Sequence, residues 1–216
     1  MAALLAGEPT RSKSALCAFA DEGRGVSALM DFTIPSTASK WSAVDDRIMG
    51  GSSTSMLAFR DGYCSFEGDL IIEGGGFASA KCIEPFTLPS DLDAVNMEVR
   101  SDGRMGYKLT LSSAAAPDGV SYQYMLPQLE ASMEFTTLRA PLAAFRPTYR
   151  GRPALDMPAL RAEDVRGVGL MLSRYEVDGG VKAAIAPGAF RLDIKRLTPG
   201  KSELAMNAQR WVQPRN

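Results

Sequence analysis

The chain has 216 residues, with 24 basic and 25 acidic side chains and a formal net charge of −1, which gives no general electrostatic reason to bind nucleic acid or acidic lipid. No apolar stretch approaches the roughly 20 residues that a membrane-spanning helix needs, and the length suits one large domain or two small ones. The sequence contains no histidine, which excludes Ser–His and Cys–His catalysis and every histidine-ligated metal site, and its three cysteines (Cys17, Cys64 and Cys82) are too scattered for a zinc site or a disulfide framework.

Residues 1–27 precede the first strand-like segment, and we interpret them as an N-terminal arm of the mature chain. A few basic residues stand ahead of a short apolar run, as in a targeting peptide. However, Glu8, Asp21 and Glu22 break the acid-poor pattern of a transit peptide. At the other end, residues 199–216 are expected to form a C-terminal arm.

The segment WSAVDDRIMGGSSTS, Trp41 to Ser55, contains the adjacent carboxylates Asp45 and Asp46. Two carboxylates facing one bond would suggest an acid/base pair of the glycosidase type. Adjacent residues on an extended chain point to opposite faces, which argues against cooperation between them. We therefore favour carboxylates that accept backbone N–H bonds in a tight loop. A site completed by carboxylates of other loops stays open as the alternative.

Two glycine-rich pieces, MGGSS and EGGGF, are candidates for phosphate-binding loops. Neither has the Gly-Lys-Ser/Thr ending of a phosphate loop or a G-x-G-x-x-G spacing before a helix. We expect Gly50 and Gly51 to let strands pass closely, and Gly74–Gly76 to form a hairpin turn. The default interpretation of Trp41 is a core anchor, and its functional alternative is a platform for stacking a sugar.

Alternating apolar and polar residues predict a series of short strands from Ala28 onward. In YCSFEGDLIIE, Cys64, Phe66, Leu70 and Ile72 share one parity, as in a half-buried strand. Similar alternation predicts strands in AVNMEVR, GYKLTLSS, VSYQYML, MEFTTLRA and AFRLDIKRL, whereas VRGVGLMLS is apolar on both faces and is typical of a central strand. Helical periodicity occurs only at 202–210. About eight or nine strands predict an all-β sandwich or barrel in which residues 28–198 form one domain.

The order of these motifs resembles that of the complex I intermediate-associated protein family. That pattern runs from Trp to Asn-Asp-Gly-Val-Met-Gly-Gly-x-Ser, then to Phe-x-Gly and Asn-Gly-Gly-Phe-Ala-Ser. The residues that match the first block are Trp41, Asp46, Met49, Gly50, Gly51 and Ser53, and those that match the second are Phe66, Gly68, Gly75, Gly76, Phe77, Ala78 and Ser79. The later segment LRAPLAAFRPTYRGR matches its Leu-Pro-Phe-x-x-Phe-x-Pro and Arg-Gly elements, and the resemblance covers roughly Leu29 to Leu197.

The sequence also departs from the family pattern at four positions. Asp45 stands where Asn is usual, Arg47 replaces Gly, and Ile48 replaces Val. Gly74 takes the place of the Asn that usually precedes Gly-Gly. The matched positions still span the whole pattern, so the departures leave the expected fold unchanged. They bear on what the loops recognise.

The resemblance implies a jelly-roll β-sandwich similar to galactose-binding domains and family 11 carbohydrate-binding modules. Family members are associated with assembly of respiratory complex I in mitochondria, and related domains occur in plastid factors linked to photosystem II. None is established as an enzyme through this domain. The resemblance therefore implies a non-enzymatic assembly factor or peripheral accessory subunit, on the mitochondrial matrix side or in the plastid stroma. It implies no cofactor and no metal.

The residues that the resemblance assigns to a structural or partner-binding loop are Trp41, Asp45, Asp46, Met49, Gly50, Gly51, Ser53, Gly75, Gly76, Phe77, Arg150 and Gly151. The expected partners are subunits of a large membrane protein complex. We expect both arms to lie along those subunits, since neither arm has the means to fold alone.

The main alternative is a carbohydrate-binding module of the jelly-roll type. Such a module would use Trp41 or the tyrosines Tyr122, Tyr124, Tyr149 and Tyr175 on a concave sheet face. Tyrosines of this kind more commonly sit half-buried with the hydroxyl in water. A third possibility is an enzyme that uses only carboxylates or tyrosine.

Overall fold

The computed structural model describes residues 28–176 and 185–201. The expected N-terminal arm, the helical periodicity noted at 202–210 and nearly all of the expected C-terminal arm fall outside the described residues. The described part of the chain forms two antiparallel sheets of six and seven strands. The prediction of an all-β sandwich is confirmed.

Thirteen strands, one short helix and three 3₁₀ turns make up the described part of the chain. The strands are β1 (Met30–Asp31), β2 (Trp41–Ala43), β3 (Thr54–Arg60), β4 (Tyr63–Leu70), β5 (Phe77–Cys82), β6 (Ala94–Ser101), β7 (Tyr107–Ser113), β8 (Val120–Met125), β9 (Thr136–Pro141), β10 (Arg146–Tyr149), β11 (Arg152–Pro153), β12 (Val165–Ser173) and β13 (Gly188–Gly200). The helix is α1 (Pro35–Ala38), and the 3₁₀ turns are Asp46–Met49, Leu142–Ala144 and Ala162–Asp164.

The two sheets are assembled from strands that are distant in sequence. The first has the order β3-β4-β13-β6-β9, with β1 also paired to β13. The second has the order β11-β10-β8-β7-β12-β5-β2, so that β12 lies between β5 and β7 as its two apolar faces predicted. The expected count of eight or nine strands was too low. Strands β1, β2, β10 and β11 have only two to four residues, too few to show an alternating pattern.

The core lies between the sheets and follows the predicted alternation. On β6, Val95, Met97 and Val99 are fully buried, and on β13 Phe190, Leu192 and Ile194 are also buried. Burying a side chain of this size stabilises the fold by about 1.5–3 kcal/mol. The sandwich is therefore closed by the inward residues of both sheets, as in a jelly roll.

The connection from β4 to β5 differs from the predicted hairpin. Strand β4 belongs to the first sheet and ends at Leu70, whereas β5 belongs to the second. The glycines Gly74–Gly76 therefore lie on a crossing between sheets, and Ile72 lies outside the strand, half-buried. At the other end, β13 continues to Gly200, two residues beyond the expected domain boundary.

A charged cluster covers the outer face of the first sheet around the buried carboxylate of Asp193. Arg100 donates from Nε and Nη2 to Oδ2 at 2.8 and 2.6 Å, and Arg191 donates from Nε to Oδ1 at 2.8 Å. The Ser65 hydroxyl donates to the same Oδ1. The Arg100 guanidinium lies 4.9 Å from the centre of the Tyr63 ring. We call these residues the Asp193 cluster.

Candidate functional site

The carboxylate of Asp46 lies at the centre of the family motif and is completely buried. Its Oδ1 accepts from the Ser53 N–H at 3.0 Å. Its Oδ2 accepts from the N–H groups of Gly76 and Phe77 at 2.7 and 3.3 Å, and from the Ser53 hydroxyl at 2.9 Å. Ser53 precedes β3 of the first sheet, and Phe77 begins β5 of the second. The side chain therefore ties the two sheets together.

Asp45 forms a second tie between the same two strands. Its Oδ2 accepts from the Ser55 N–H at 3.0 Å, and its Oδ1 accepts from the Ser55 hydroxyl at 2.6 Å and the Ser79 N–H at 2.9 Å. Asp45 and Asp46 share no hydrogen-bond donor. Two carboxylates committed to separate internal donors do not make an acid/base pair, because that chemistry needs both to face one reacting bond.

The glycines beside Asp46 are explained by the space that its carboxylate occupies. A Cβ on Gly51 would lie 2.2 Å from Asp46 Cγ, and a Cβ on Gly75 would lie 2.1 Å from Asp46 Oδ2. Gly50 instead ends the 3₁₀ turn in the left-handed region, at φ +88°. The expectation that Gly50 and Gly51 let strands pass closely stays a prediction; the backbone that approaches them closely is that of Gly74, where a Cβ would lie 3.0 Å from the Gly50 carbonyl oxygen. Gly51 faces a side chain, and nothing lies within 4 Å of a Cβ built on Gly50.

Trp41 and Met49 flank this region in opposite environments. Trp41 is buried on β2 with its ring centre 5.7 Å from that of Phe32, and no described residue accepts a hydrogen bond from its indole N–H. Met49 is 62% exposed at the end of the 3₁₀ turn. Trp41 therefore has no free ring face for a sugar, whereas Met49 presents an apolar surface to solvent.

Arg150 and Gly151 lie apart from the other motif residues. They form the two-residue turn between β10 and β11, with φ values of +50° and +75°. Positive φ at both positions is typical of a type I′ hairpin. Three strands separate β10 from β5 in the second sheet, a distance of roughly 19 Å at the usual strand spacing.

The four tyrosines do not form one binding face. Tyr122 is buried and donates its hydroxyl to the Pro158 carbonyl at 2.7 Å, and the Tyr124 hydroxyl lies 3.3 Å from the Arg139 carbonyl. Desolvation raises the pKa of the Tyr122 hydroxyl. Tyr149 is exposed beside the β10–β11 turn, and Tyr175 donates to the Gly75 carbonyl at 3.1 Å.

A small surface cavity opens beside the motif. It has a volume of about 240 Å³ and is lined by Met49, Ile72, Gly74, Gly75, Phe77, Arg174 and Tyr175. We call it the Arg174 pocket. The Arg174 side chain crosses Gly76, where a Cβ would lie 2.2 Å from Arg174 Cδ. Gly75 thus makes room for Asp46 and Gly76 makes room for Arg174.

A larger, shallow groove of about 660 Å³ lies on the outer face of the first sheet. Met56, Glu67, Asp102 and Arg191 line it, and its one aromatic residue, Phe190, is buried. Among the described residues, no three His, Cys, Asp or Glu side chains are arranged to hold a metal ion. No helix within the described ranges is long and apolar enough to cross a membrane.

Comparison with known protein families finds the same family that the motif residues resemble. The family model of complex I intermediate-associated protein 30 (CIA30) matches residues 30–194. The chain belongs to this family. In this CIA30 chain the match runs from β1 into β13 and includes the ties made by Asp45 and Asp46 as well as the Arg174 pocket.

Two solved structures similar to the CIA30 chain are carbohydrate-binding modules. A family 11 module from Clostridium thermocellum, solved with a β-1,3-1,4-mixed-linked tetrasaccharide, has a TM-score of 0.50 at 13% identity, covering 76% of this chain and 91% of that one. The family 11 module of the cellulosomal cellulase Lic26A-Cel5E of the same organism has a TM-score of 0.48 at 14% identity, covering 75% of this chain and 88% of that one. At this identity the likeness concerns the fold alone.

A curated relative shows a partial match. The bifunctional protein FolD of Nitratidesulfovibrio vulgaris is 30% identical over 126 residues, which cover 55% of this chain. The chain spans 41% of the length of that protein. This coverage is too small to carry a functional argument.

Sequence reasoning missed the partners of the motif residues. Ser55 and Ser79 complete the tie through Asp45, and Arg174 follows the end of β12, far along the chain from the motif. The only sequence signal for these partners was the cluster of serines after Gly51 and the Phe-Ala-Ser of the second block.

Proposed function

We propose that the chain is a non-enzymatic assembly factor or peripheral accessory subunit that binds respiratory complex I, or its intermediates, on the matrix side of the mitochondrial membrane. The observation that carries this proposal is the CIA30 match over residues 30–194. The binding would be through protein–protein contacts, with no cofactor.

The geometry of the motif supports a binding role. The carboxylates of Asp45 and Asp46 are committed to internal donors, and Cys64 is buried with its pKa raised to about 11 by desolvation and by the nearby Asp31 charge. A catalytic acid, base or nucleophile needs an accessible group in a pKa range suited to its task. The described groups that the motif supplies do not meet that need.

The carbohydrate-binding alternative has less support. Sugar sites commonly use exposed aromatic faces, and here Arg100 and Arg191 lie over Tyr63, Arg150 lies over Tyr149, and Trp41 is buried. We expect no saturable binding when mixed-linked β-glucan oligosaccharides are titrated calorimetrically into the protein. Saturable binding that an aromatic-to-Ala change abolishes would reverse this ordering.

The proposed function is tested by purifying the tagged full chain from organelle membranes in mild detergent. We expect complex I subunits to co-migrate with it on native gels and to be identified by mass spectrometry. Co-migration with photosystem subunits would move the proposal to the plastid stroma. A chain that runs alone in every fraction would contradict it.

A further inference from the structure

The Arg174 pocket combines one positive charge with an apolar wall, and the side chains that supply them take no part in the ties made by Asp45 and Asp46. We propose that this pocket receives an acidic side chain, flanked by an apolar one, from a segment of the protein partner. The inference rests on the proposed function, because it names the chemistry of a contact with that partner.

Among the described residues that line the pocket, Arg174 carries the charge. A guanidinium has five N–H donors, and in this structure Arg174 donates from Nη1 to the Ile72 carbonyl at 3.2 Å. Within the described part of the chain, the ion pairs of the other arginines do not include Arg174. By contrast, Arg100 and Arg191 both bind Asp193. The guanidinium donors of Arg174 that no described residue accepts from match a carboxylate, which arginine binds through two parallel hydrogen bonds.

The wall of the pocket supplies the second element of recognition. Met49 is 62% exposed, and Ile72 and Phe77 are half-buried beside it. Methionine adapts its shape to a partner because its side chain is unbranched and polarisable. A cation next to such a wall selects a segment that carries both a carboxylate and an apolar side chain, in preference to a free inorganic anion.

The size of the pocket fits a side chain better than a small molecule. Its volume of about 240 Å³ is below the range of about 300–1,000 Å³ that is common for small-molecule sites. Gly74 and Gly75 line it without side chains, so a partner backbone can approach closely.

The pocket is held in shape before any partner arrives. The Arg174 N–H donates to the Gly76 carbonyl at 3.0 Å, and the Tyr175 hydroxyl donates to the Gly75 carbonyl at 3.1 Å. Asp46 begins the 3₁₀ turn that carries Met49, with its carbonyl accepting from the Gly50 N–H, and its carboxylate accepts from the Gly76 N–H, directly after Gly74 and Gly75. A preformed site loses less conformational entropy on binding. The buried carboxylate of Asp46 thus helps to shape a pocket on the surface.

The first experiment maps the contact. A photo-crosslinking diazirine amino acid replaces Met49 in the tagged full chain, and a matched protein carries it at Met133, which is 83% exposed on the β8–β9 connection. After irradiation in intact organelles, we expect position 49 to link to one defined segment of a membrane-complex subunit, with an Asp or Glu adjacent to an apolar residue. Position 133 should not link to that segment.

The second experiment tests the charge. Arg174→Glu should reduce the position 49 cross-link at least tenfold, and a Lys in place of the mapped acidic residue should restore it. Arg152→Glu, at an exposed position on β11, serves as the control and should leave the cross-link unchanged. If Arg174→Glu unfolds in a thermal melt, Arg174→Gln replaces it, and the same tenfold loss is required.

The outcomes separate this inference from the proposed function. If the chain co-purifies with complex I subunits but position 49 does not link, or links equally in Arg174→Glu, the pocket is not the contact and the proposed function stands. A link to a second copy of the chain, or to a segment without an acidic residue, also overturns the inference. If the chain co-purifies with no membrane-complex subunit, the proposed function itself is contradicted.

Discussion

Every hydrogen-bond partner of the Asp46 carboxylate is a donor. Three backbone N–H groups and one hydroxyl converge on its two oxygens from both sheets. A buried charge is costly unless it is fully hydrogen-bonded, and hydrogen bonds to a charged group are worth about 1.5–3 kcal/mol each. Asp46 therefore stabilises the junction of the two sheets as long as both of its carboxylate oxygens accept these hydrogen bonds.

Asp46→Asn places an amide NH₂ where one of these oxygens accepts, so a donor faces donors. We expect the free energy of unfolding to fall by about 3 kcal/mol, measured by urea denaturation. Asp69→Asn is the control, because Asp69 is exposed on β4 and such a surface change typically alters stability by less than about 0.5 kcal/mol. Equal effects of the two substitutions would contradict the role assigned to Asp46.

Gly51→Ala tests the space between Gly51 and the Asp46 carboxylate. The added Cβ would lie 2.2 Å from Cγ, and we expect a loss of about 3 kcal/mol of unfolding free energy from overpacking. In Asp46→Ala the clash is absent, so the double substitution should be no less stable than Asp46→Ala alone. Gly62→Ala, with φ +76° and no atom within 4 Å of the new Cβ, measures backbone strain alone. Strict additivity in the Gly51–Asp46 cycle would contradict this account.

At the scale of elements, long strands with a clean period of two or a continuous apolar run were predictable, and strands with a mixed pattern were not. Strand β6, with Val95, Met97 and Val99 facing the core, is an example of the first kind. Strand β3 is an example of the second, since four successive apolar residues from Met56 to Phe59 hide the alternation and Met56 is exposed. The partners of Asp46 could not be predicted, because Gly76 is 30 residues away and reaches it only through a crossing between sheets.

The Asp193 cluster on the first sheet should make the free energy of unfolding depend on pH. Burial acts to raise the pKa of Asp193, but hydrogen bonds from Arg191, Ser65 and Arg100 outweigh it and hold that pKa below its ordinary value. The stabilisation is therefore fully present above the unfolded pKa of about 3.9 and is lost as pH falls through the folded value.

Asp193→Asn should remove that part of the pH dependence. We expect the unfolding free energy of the wild type to fall below about pH 4 and the curve of the variant to be flatter there, with a loss of about 2 kcal/mol at neutral pH. Urea midpoints measured from pH 2 to pH 7 test this. Parallel curves for the two proteins would show that the carboxylate does not contribute through its charge.

At the scale of the whole molecule, both sheets share one core, so the sandwich should unfold as a cooperative unit. Cys64 is suited to report this, because it is fully buried at the start of β4 and its thiol lies 3.4 Å from the Phe32 carbonyl. Cys82 is a free, half-buried thiol at the end of β5, and burial raises its pKa as well. Replacing Cys17 and Cys82 with Ser leaves Cys64 as the single thiol.

In that variant we expect alkylation of Cys64 by iodoacetamide to require global unfolding. With a pKa of about 11, only about one thiol in a thousand is ionised at pH 8, and burial also blocks the reagent. The labelling rate should therefore rise with urea at the same slope as the equilibrium unfolding followed by tryptophan fluorescence. Labelling that is fast and insensitive to urea would mean that the β3–β4 hairpin opens on its own. In that case the ties through Asp45 and Asp46, which hold β3 to β5, would not join the two sheets into one cooperative unit.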